Sequence, residues 1–356
     1  MKIAVIGDIH INLGNGSEIF QRNFKSFCDN ALFPTLKSRN IKTIFQTGDL
    51  FHNRRNTHSQ GLQNAKECFF DKLVSNKMQL HMILGNHDIY FRESLQINTP
   101  ELVLGEYIKS NHVHVYNKPT TVDFDGLPFD FIPWICEENN KDVFNFVNKT
   151  KSKYALGHLE LTGFEMSKGH FCEHGMDYDL FKTYTTVYNG HFHRKSKDKN
   201  IVYVGNPTQD SWDAVDEIKG FHIFDTETKE LEFIENPYNL FERIEYDDTK
   251  KLPLVDVEDK YVKVIVKTST DNKKLENYVE SLFLQNPVDV KVIENMTVES
   301  ALEVDLTLEQ LESEGMDTVT FVTNYTVNSN NDLTTYQKDL IKSTYKTLFE
   351  QSKEVL

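Results

Sequence analysis

The chain is poor in cysteine, in positive charge and in long apolar runs, and each shortage closes off a class of protein. Its 356 residues hold four cysteines, Cys28, Cys68, Cys136 and Cys172, with no Cys-x-x-Cys spacing among them. Neither a disulfide framework nor a structural zinc site is therefore expected, and reduced thiols are the default. No apolar run approaches the roughly 20 residues that cross a bilayer. The N-terminal apolar segment is too short, and too polar at its end, for a signal peptide. The expectation is a protein of the cytoplasm that does not engage membranes. Lys and Arg number 39 against 54 Asp and Glu, for a formal net charge of -15, which argues against broad electrostatic capture of DNA or RNA. A nucleic-acid enzyme is still open, because bound divalent metals reverse the field locally and a partner subunit can supply phosphate-binding surface. Two basic clusters, Arg54-Arg55 and Lys195-Lys197-Lys199, read as solvated loops, the lysines equally as substrate contacts. No internal repeat or low-complexity tract is present.

What the chain does have is one pattern, used five times. A short apolar run ends in glycine, and Asp, Asn or His follows. The run 2–7 leads to Asp8-Ile9-His10, and 41–48 leads to Asp49-Leu50-Phe51-His52. Met82-Ile83-Leu84-Gly85 leads to Asn86-His87-Asp88, Tyr154-Ala155-Leu156-Gly157 to His158, and 186–190 to His191-Phe192-His193. Each run reads as a buried strand that delivers polar side chains at its C-terminal end, and the i, i+2 pairs put both groups on one face of an extended segment. Any single Gly-Asp after a strand is usually an ordinary turn. Five repetitions are a site.

The donor set is mixed. Asp8, His10, Asp49, Asn86, His158, His191 and His193 offer oxygen and nitrogen without thiolate, which suits Mn, Fe or Zn better than Ca or Mg. Asp49, freed by Gly48 to turn sharply, is placed to bridge two ions with its two oxygens. Two metals about 3.5 to 4 Å apart would clamp a phosphoryl group and activate a water, so the reaction implied is phosphoester hydrolysis.

Up to about residue 235 short strands alternate with helical stretches, 20–37 and 58–75 among them, which gives an α/β layered domain. The strands at 201–204 and 221–224, without long helices between them, suggest a second sheet and a two-sheet β-sandwich flanked by helices. Beyond 236 the texture changes to a small α+β module, with strands at 261–267 and 288–293 around a helix at 272–284. Residues 299–356 read as a polar, acidic tether, with helices at 301–314 and 331–352, the second capped by Asn331 or Asp332, and an ambiguous stretch at 317–327. Three domains are expected: 1–235, 236–298 and 299–356.

The ordered set Asp8-x-His10, Gly48-Asp49, Gly85-Asn86-His87-Asp88, Gly157-His158 and Gly190-His191-x-His193 resembles the calcineurin-like metallophosphoesterases. His52, three residues after Asp49, resembles the SbcD-type nuclease subunits of double-strand-break repair. The runs 121–126, 132–139 and 181–184 resemble more closely the recombination endonuclease subunits of T-even-like phages. The resemblance implies a metallophosphoesterase fold and a DNA exonuclease and endonuclease, acting on double-stranded ends and single-stranded DNA, that processes ends for replication, recombination and repair. One metal would take Asp8, His10, Asp49 and His193, the other Asp49, Asn86, His158 and His191, with Mn2+ first among the candidate ions. It further implies that His87 assists the leaving group, that Asp88 orients its ring, and that His52 positions the strand. A homodimer through helices near 58–75 and 99–109 is implied too, as is a DNA-contacting cap at 236–298 and an SbcC-type coiled-coil ATPase bound by the C-terminal segment. Location would be the host cytoplasm if the protein is phage-encoded. A phosphomonoester phosphatase and a non-catalytic scaffold are the competing readings.

Overall fold

The computed structural model describes residues 1–167 and 169–294. The helices expected at 301–314 and 331–352, the stretch 317–327 and the third expected domain lie outside the described residues. Among the described residues no helix is long and apolar enough to cross a membrane.

Two six-stranded sheets stack face to face. The first runs Leu231–Glu235, Gly220–Asp225, Lys2–Ile6, Thr43–Gln46, Gln79–Ile83 and Val113–Tyr116. The second runs Ser196–Asp198, Ile201–Tyr203, Thr186–Asn189, Tyr154–Gly157, Leu127–Ile132 and Thr120–Phe124. The last four strands of the first sheet are mutually parallel, and so are the middle four of the second. Strand alternation sorts the side chains into layers. Ile3, Val5, Phe45 and Ile83 meet Phe129, Phe131, Tyr154, Leu156, Tyr188 and Val202 between the sheets. Ala4, Ile6, Ile44, Leu80 and Met82 face the other way, onto Phe27, Leu36, Phe69 and Leu73 of the flanking helices. On the far side of the second sheet Ala155 and Val187 cover Val143 and Val147 of the helix Asn140–Lys149. The expected α/β sandwich with outer helices is present.

Two details differ from expectation. The strand at 221–224 does not join its sequence neighbour at 201–204. It crosses to the first sheet and pairs antiparallel with Lys2–Ile6, Val5 opposite His222. Local pattern marks a strand buried on both faces but says nothing of its partner. The helices over 20–37 and 58–75 are each broken by a wide turn, Phe27–Leu32 and Lys66–Phe70. In the first, Pro34 lacks the N–H that would bond the Asn30 carbonyl.

Residues 241–294 build a third sheet ordered Phe241–Asp247, Tyr261–Thr268, Asp289–Glu294, with the helix Asn272–Phe283 capped by the Asp271 carboxylate. The expected strand, helix and strand are there, and the strand Phe241–Asp247 is an addition. This sheet has its own apolar cluster of Ile244, Tyr246, Val262, Val264, Leu275 and Leu282. Arg22 grips Asp259 through both carboxylate oxygens at 3.0 and 2.9 Å, and Arg243 grips Asp216 at 2.7 and 2.8 Å.

Candidate metal centre

Parallel strands end on the same edge, and in a two-sheet stack that edge collects loops from both sheets. Lys2–Ile6, Thr43–Gln46 and Gln79–Ile83 deliver Asp8 and His10, Asp49, and Asn86 and His87. Tyr154–Gly157 and Thr186–Asn189 deliver His158, and His191 and His193. The turns are sharp. His10, Asp49 and His191 all hold left-handed backbone, with φ of 52, 53 and 82°, a strained state for residues with a Cβ and one that clusters at functional sites. Gly85 is required by close approach, since a Cβ there would lie 2.2 Å from Asp49 Oδ1.

All seven residues expected from the sequence converge, in two groups. In the first, Asp8, His10 and His193 bring ligand atoms within 4.8 Å of one another. His10 Nε2 lies 3.0 Å from His193 Nε2, and His193 Nε2 lies 3.8 Å from Asp8 Oδ2. In the second, Asp49, His158 and His191 do the same, and Asn86 Oδ1 lies 2.9 Å from His158 Nε2 and 3.0 Å from His191 Nδ1. Asp49 Oδ2 stands between the groups, 3.9 Å from His10 Nε2 and 3.3 Å from His158 Nε2. Backbone amides fix both carboxylates: His87 N–H donates to Asp49 Oδ1 at 2.7 Å and His191 N–H to Asp8 Oδ2 at 2.9 Å.

The donor set fits cations. His158 Nδ1–H donates to the Thr47 carbonyl at 2.8 Å, which leaves Nε2 aimed at two acceptors, Asn86 Oδ1 and Asp49 Oδ2. His193 Nδ1–H donates to Asp210, so its Nε2 likewise faces His10 and Asp8. Carboxylate, amide and imidazole acceptors crowded this closely are stabilised by a positive charge among them, whether a proton or a metal ion. The acidities agree. Burial pushes Asp8 up to about 6. Burial works to lower His158, but the Asp49 and Asp8 carboxylates raise it to about 9. Burial holds His10 and His191 well below the usual imidazole range, so both are neutral and ready to coordinate.

His87 lies at the rim. Its Nδ1–H donates to the His52 carbonyl at 2.6 Å, and its ring stands 5.0 Å from that of His10. The expectation that Asp88 orients this ring is corrected. Asp88 is fully buried, and its carboxylate accepts from the amides of Phe51 at 3.0 Å and Gly85 at 2.9 Å. The tight 85–88 turn folds the carboxylate back under its own loop, so it braces the two loops around Asp49. The His52 ring stacks on His87 with centroids 5.6 Å apart, and its Nδ1 is buried without a partner. Burial lowers His52 to about 4 and lowers His87 as well.

Three further residues belong to the site. Asp210 holds His193, and although burial opposes ionisation, His193 keeps its carboxyl far below the usual range. Its signal was present in the sequence, because Val204-Gly205-Asn206 after the Ile201–Tyr203 strand repeats the pattern a sixth time. The Asn206 amide donates to the His193 carbonyl at 3.2 Å. Trp134 walls the second group, its ring 5.2 Å from that of His191. Arg54 stands near His87 and Asp49, with Nη1 buried and unpartnered.

Residues 1–195 match the family model described as calcineurin-like phosphoesterase. Exonuclease subunit 1 of Enterobacteria phage T4 is 34% identical over 297 residues, which cover 82% of this chain and 86% of the phage protein. A solved structure of an archaeal phosphodiesterase is 14% identical and covers 66% of this chain and 100% of that one, with a TM-score of 0.34. A likeness that loose carries no argument.

Proposed function

The chain belongs to the calcineurin-like phosphoesterase family, and from that premise we propose that it is a two-metal DNA nuclease, cutting phosphodiester bonds as exonuclease and endonuclease in recombination and repair. The observation that carries the proposal is the placement of Asp49 Oδ2 between two groups of converging ligand atoms. Asp8, His10, Asp49 and His193 would hold one ion, and Asp49, Asn86, His158 and His191 the other, manganese foremost. Such ions supply Lewis acidity toward a phosphoryl oxygen and activation of a water.

The chain's own residues do the rest. The His87 amide fixes the Asp49 carboxylate, and the Thr47 carbonyl and Asp210 orient the rings of His158 and His193. His87, with Nδ1–H engaged by the His52 carbonyl, has Nε2 left for the substrate. There it can carry a proton to the departing sugar oxygen, once the phosphodiester's negative charge offsets the burial that lowers it. His52 packs against it and helps seat the strand.

DNA as substrate, and work within a complex, are supported by the phage relative, which is described as an exonuclease subunit. The partner proposed is an SbcC-type coiled-coil ATPase docked by the C-terminal segment, with 1–235 as nuclease domain, 236–298 as a DNA-contacting cap and 299–356 as the docking region. A homodimer is proposed through helices that include Thr99–Val103, whose Leu102 is 72% exposed. Purified protein incubated with Mn2+ and linear DNA, with and without such an ATPase, should release nucleotides. Turnover of p-nitrophenyl phosphate without any DNA cleavage would replace the nuclease with a phosphatase.

A further inference from the structure

Seven arginines occur in the sequence, in a chain of net charge -15. Four of them sit on carboxylates: Arg22 on Asp259, Arg39 on Glu232, Arg194 between Glu165 and Glu217, and Arg243 on Asp216. Arg54, Arg55 and Arg92 do not. Among the described residues none of these three has a carboxylate within 4.0 Å or a hydrogen-bond partner for its guanidinium. They are also neighbours, near enough that Arg92 and Arg55 both work against the charge on Arg54, after the larger effect of its own burial. Asp49 and Glu93 offset that repulsion only in part, and with acids in surplus, three neighbouring guanidinia that none of them grips mark a surface shaped for an anion from outside.

The same surface carries two exposed rings. The hairpin of strands Ile89–Phe91 and Ser94–Asn98 leaves the site directly after His87 and Asp88. Tyr90 and Phe91 are 41% and 49% exposed, set edge to face at 4.8 Å, and the Arg55 guanidinium carbon lies 6.0 Å from the Tyr90 ring centroid. The hairpin is a rigid support, because Glu138 accepts from the Leu95 amide at 2.8 Å and the Gln96 side chain at 2.7 Å. Aromatic faces beside unpaired cations are the elements by which proteins hold a single strand: rings stack on bases and guanidinia track the phosphates. A base paired in the interior of a duplex has no free face to offer such rings. An unpaired one does.

We propose that Arg54, Arg55 and Arg92 with Tyr90 and Phe91 form a subsite for an unpaired DNA strand leading into the metal centre. Arg54 meets the phosphate nearest the metals, Arg55 and Arg92 meet its neighbours, and the two rings take bases of the flanking nucleotides. The inference rests on the nuclease reading and gives its substrate a conformation: strand ends that are single-stranded, or frayed on arrival.

The test is steady-state hydrolysis of a single-stranded oligonucleotide by the full chain with Mn2+, with metal content recorded for every variant. For the double variant Tyr90→Ala/Phe91→Ala we expect KM to rise about tenfold or more, the scale of losing a stacked base, with wild-type metal content and little change in kcat. Tyr90→Phe, which keeps the ring, should restore KM at that position. Arg92→Ala should lower the salt slope of kcat/KM by about 0.7, one phosphate contact to a single strand. If wild type cleaves the oligonucleotide and all these variants match it in KM and salt slope, the subsite is overturned and the nuclease stands. If wild type cleaves no DNA, the nuclease reading falls and the subsite with it.

Discussion

His193 and Asp210 form a partly buried pair in which the imidazole Nδ1–H donates to the carboxylate, so that Nε2 is turned toward Asp8 and His10. This contact decides which nitrogen of His193 is free to bind, and no candidate from the five glycine-ended runs performs that task.

Asp210→Asn should therefore weaken the first ion while leaving the second in place. Removing a carboxylate behind a ligating histidine typically costs 10- to 100-fold in metal affinity. Titrating Mn2+ against the variant should show one affinity shifted by that amount and one unchanged.

His87 lies outside both ligand groups as assigned, and its ring is held by a backbone carbonyl. His87→Ser should keep metal and DNA binding while hydrolysis falls about 10²-fold or more, the scale of a lost proton carrier. Single-turnover rates at saturating protein read this directly, and near-normal turnover would remove His87 from the mechanism.

Away from the site, His81 lies between the sheets against Phe45, Phe124 and His114, with Nδ1 on the Tyr116 hydroxyl at 2.8 Å. Burial, with His114 beside it, lowers its pKa to about 3, against about 6.5 in the unfolded chain. Between those values the unfolded state binds the extra proton. The stability is therefore complete above about pH 6.5 and is lost as pH falls toward 3. Urea midpoints measured from pH 7.5 down to 5 should drop for wild type and drop less for His81→Phe. Some slope will persist, because burial also lowers His222 to about 4.

The strand ends were legible in the sequence because a buried parallel strand is a short apolar run and the glycine after it permits a sharp turn. Asp8, Asp49 and His158 could be found that way, and so could the sandwich itself. Partner choice could not. The strand Gly220–Asp225 reads the same whichever sheet it joins, and only its register against Lys2–Ile6 separates the cases. Asp210 escaped because it follows its glycine by five residues rather than one, and Asp88 was misread because side-chain direction within a turn is set by hydrogen bonds to Gly85 and Phe51. The unpaired arginines are invisible in composition, since the sequence shows how many charges there are but not which are neutralised.

The central claim is that Asp49 is shared by two ions, and manganese content per chain measures it. Elemental analysis after equilibrium dialysis should give two ions for wild type, about one for His193→Ala, and close to none for Asp49→Ala, because Asp49 lies within 4 Å of a histidine nitrogen in each ligand group. An Asp49→Ala protein that retained two tightly bound ions would contradict the shared carboxylate and the two-metal mechanism built on it.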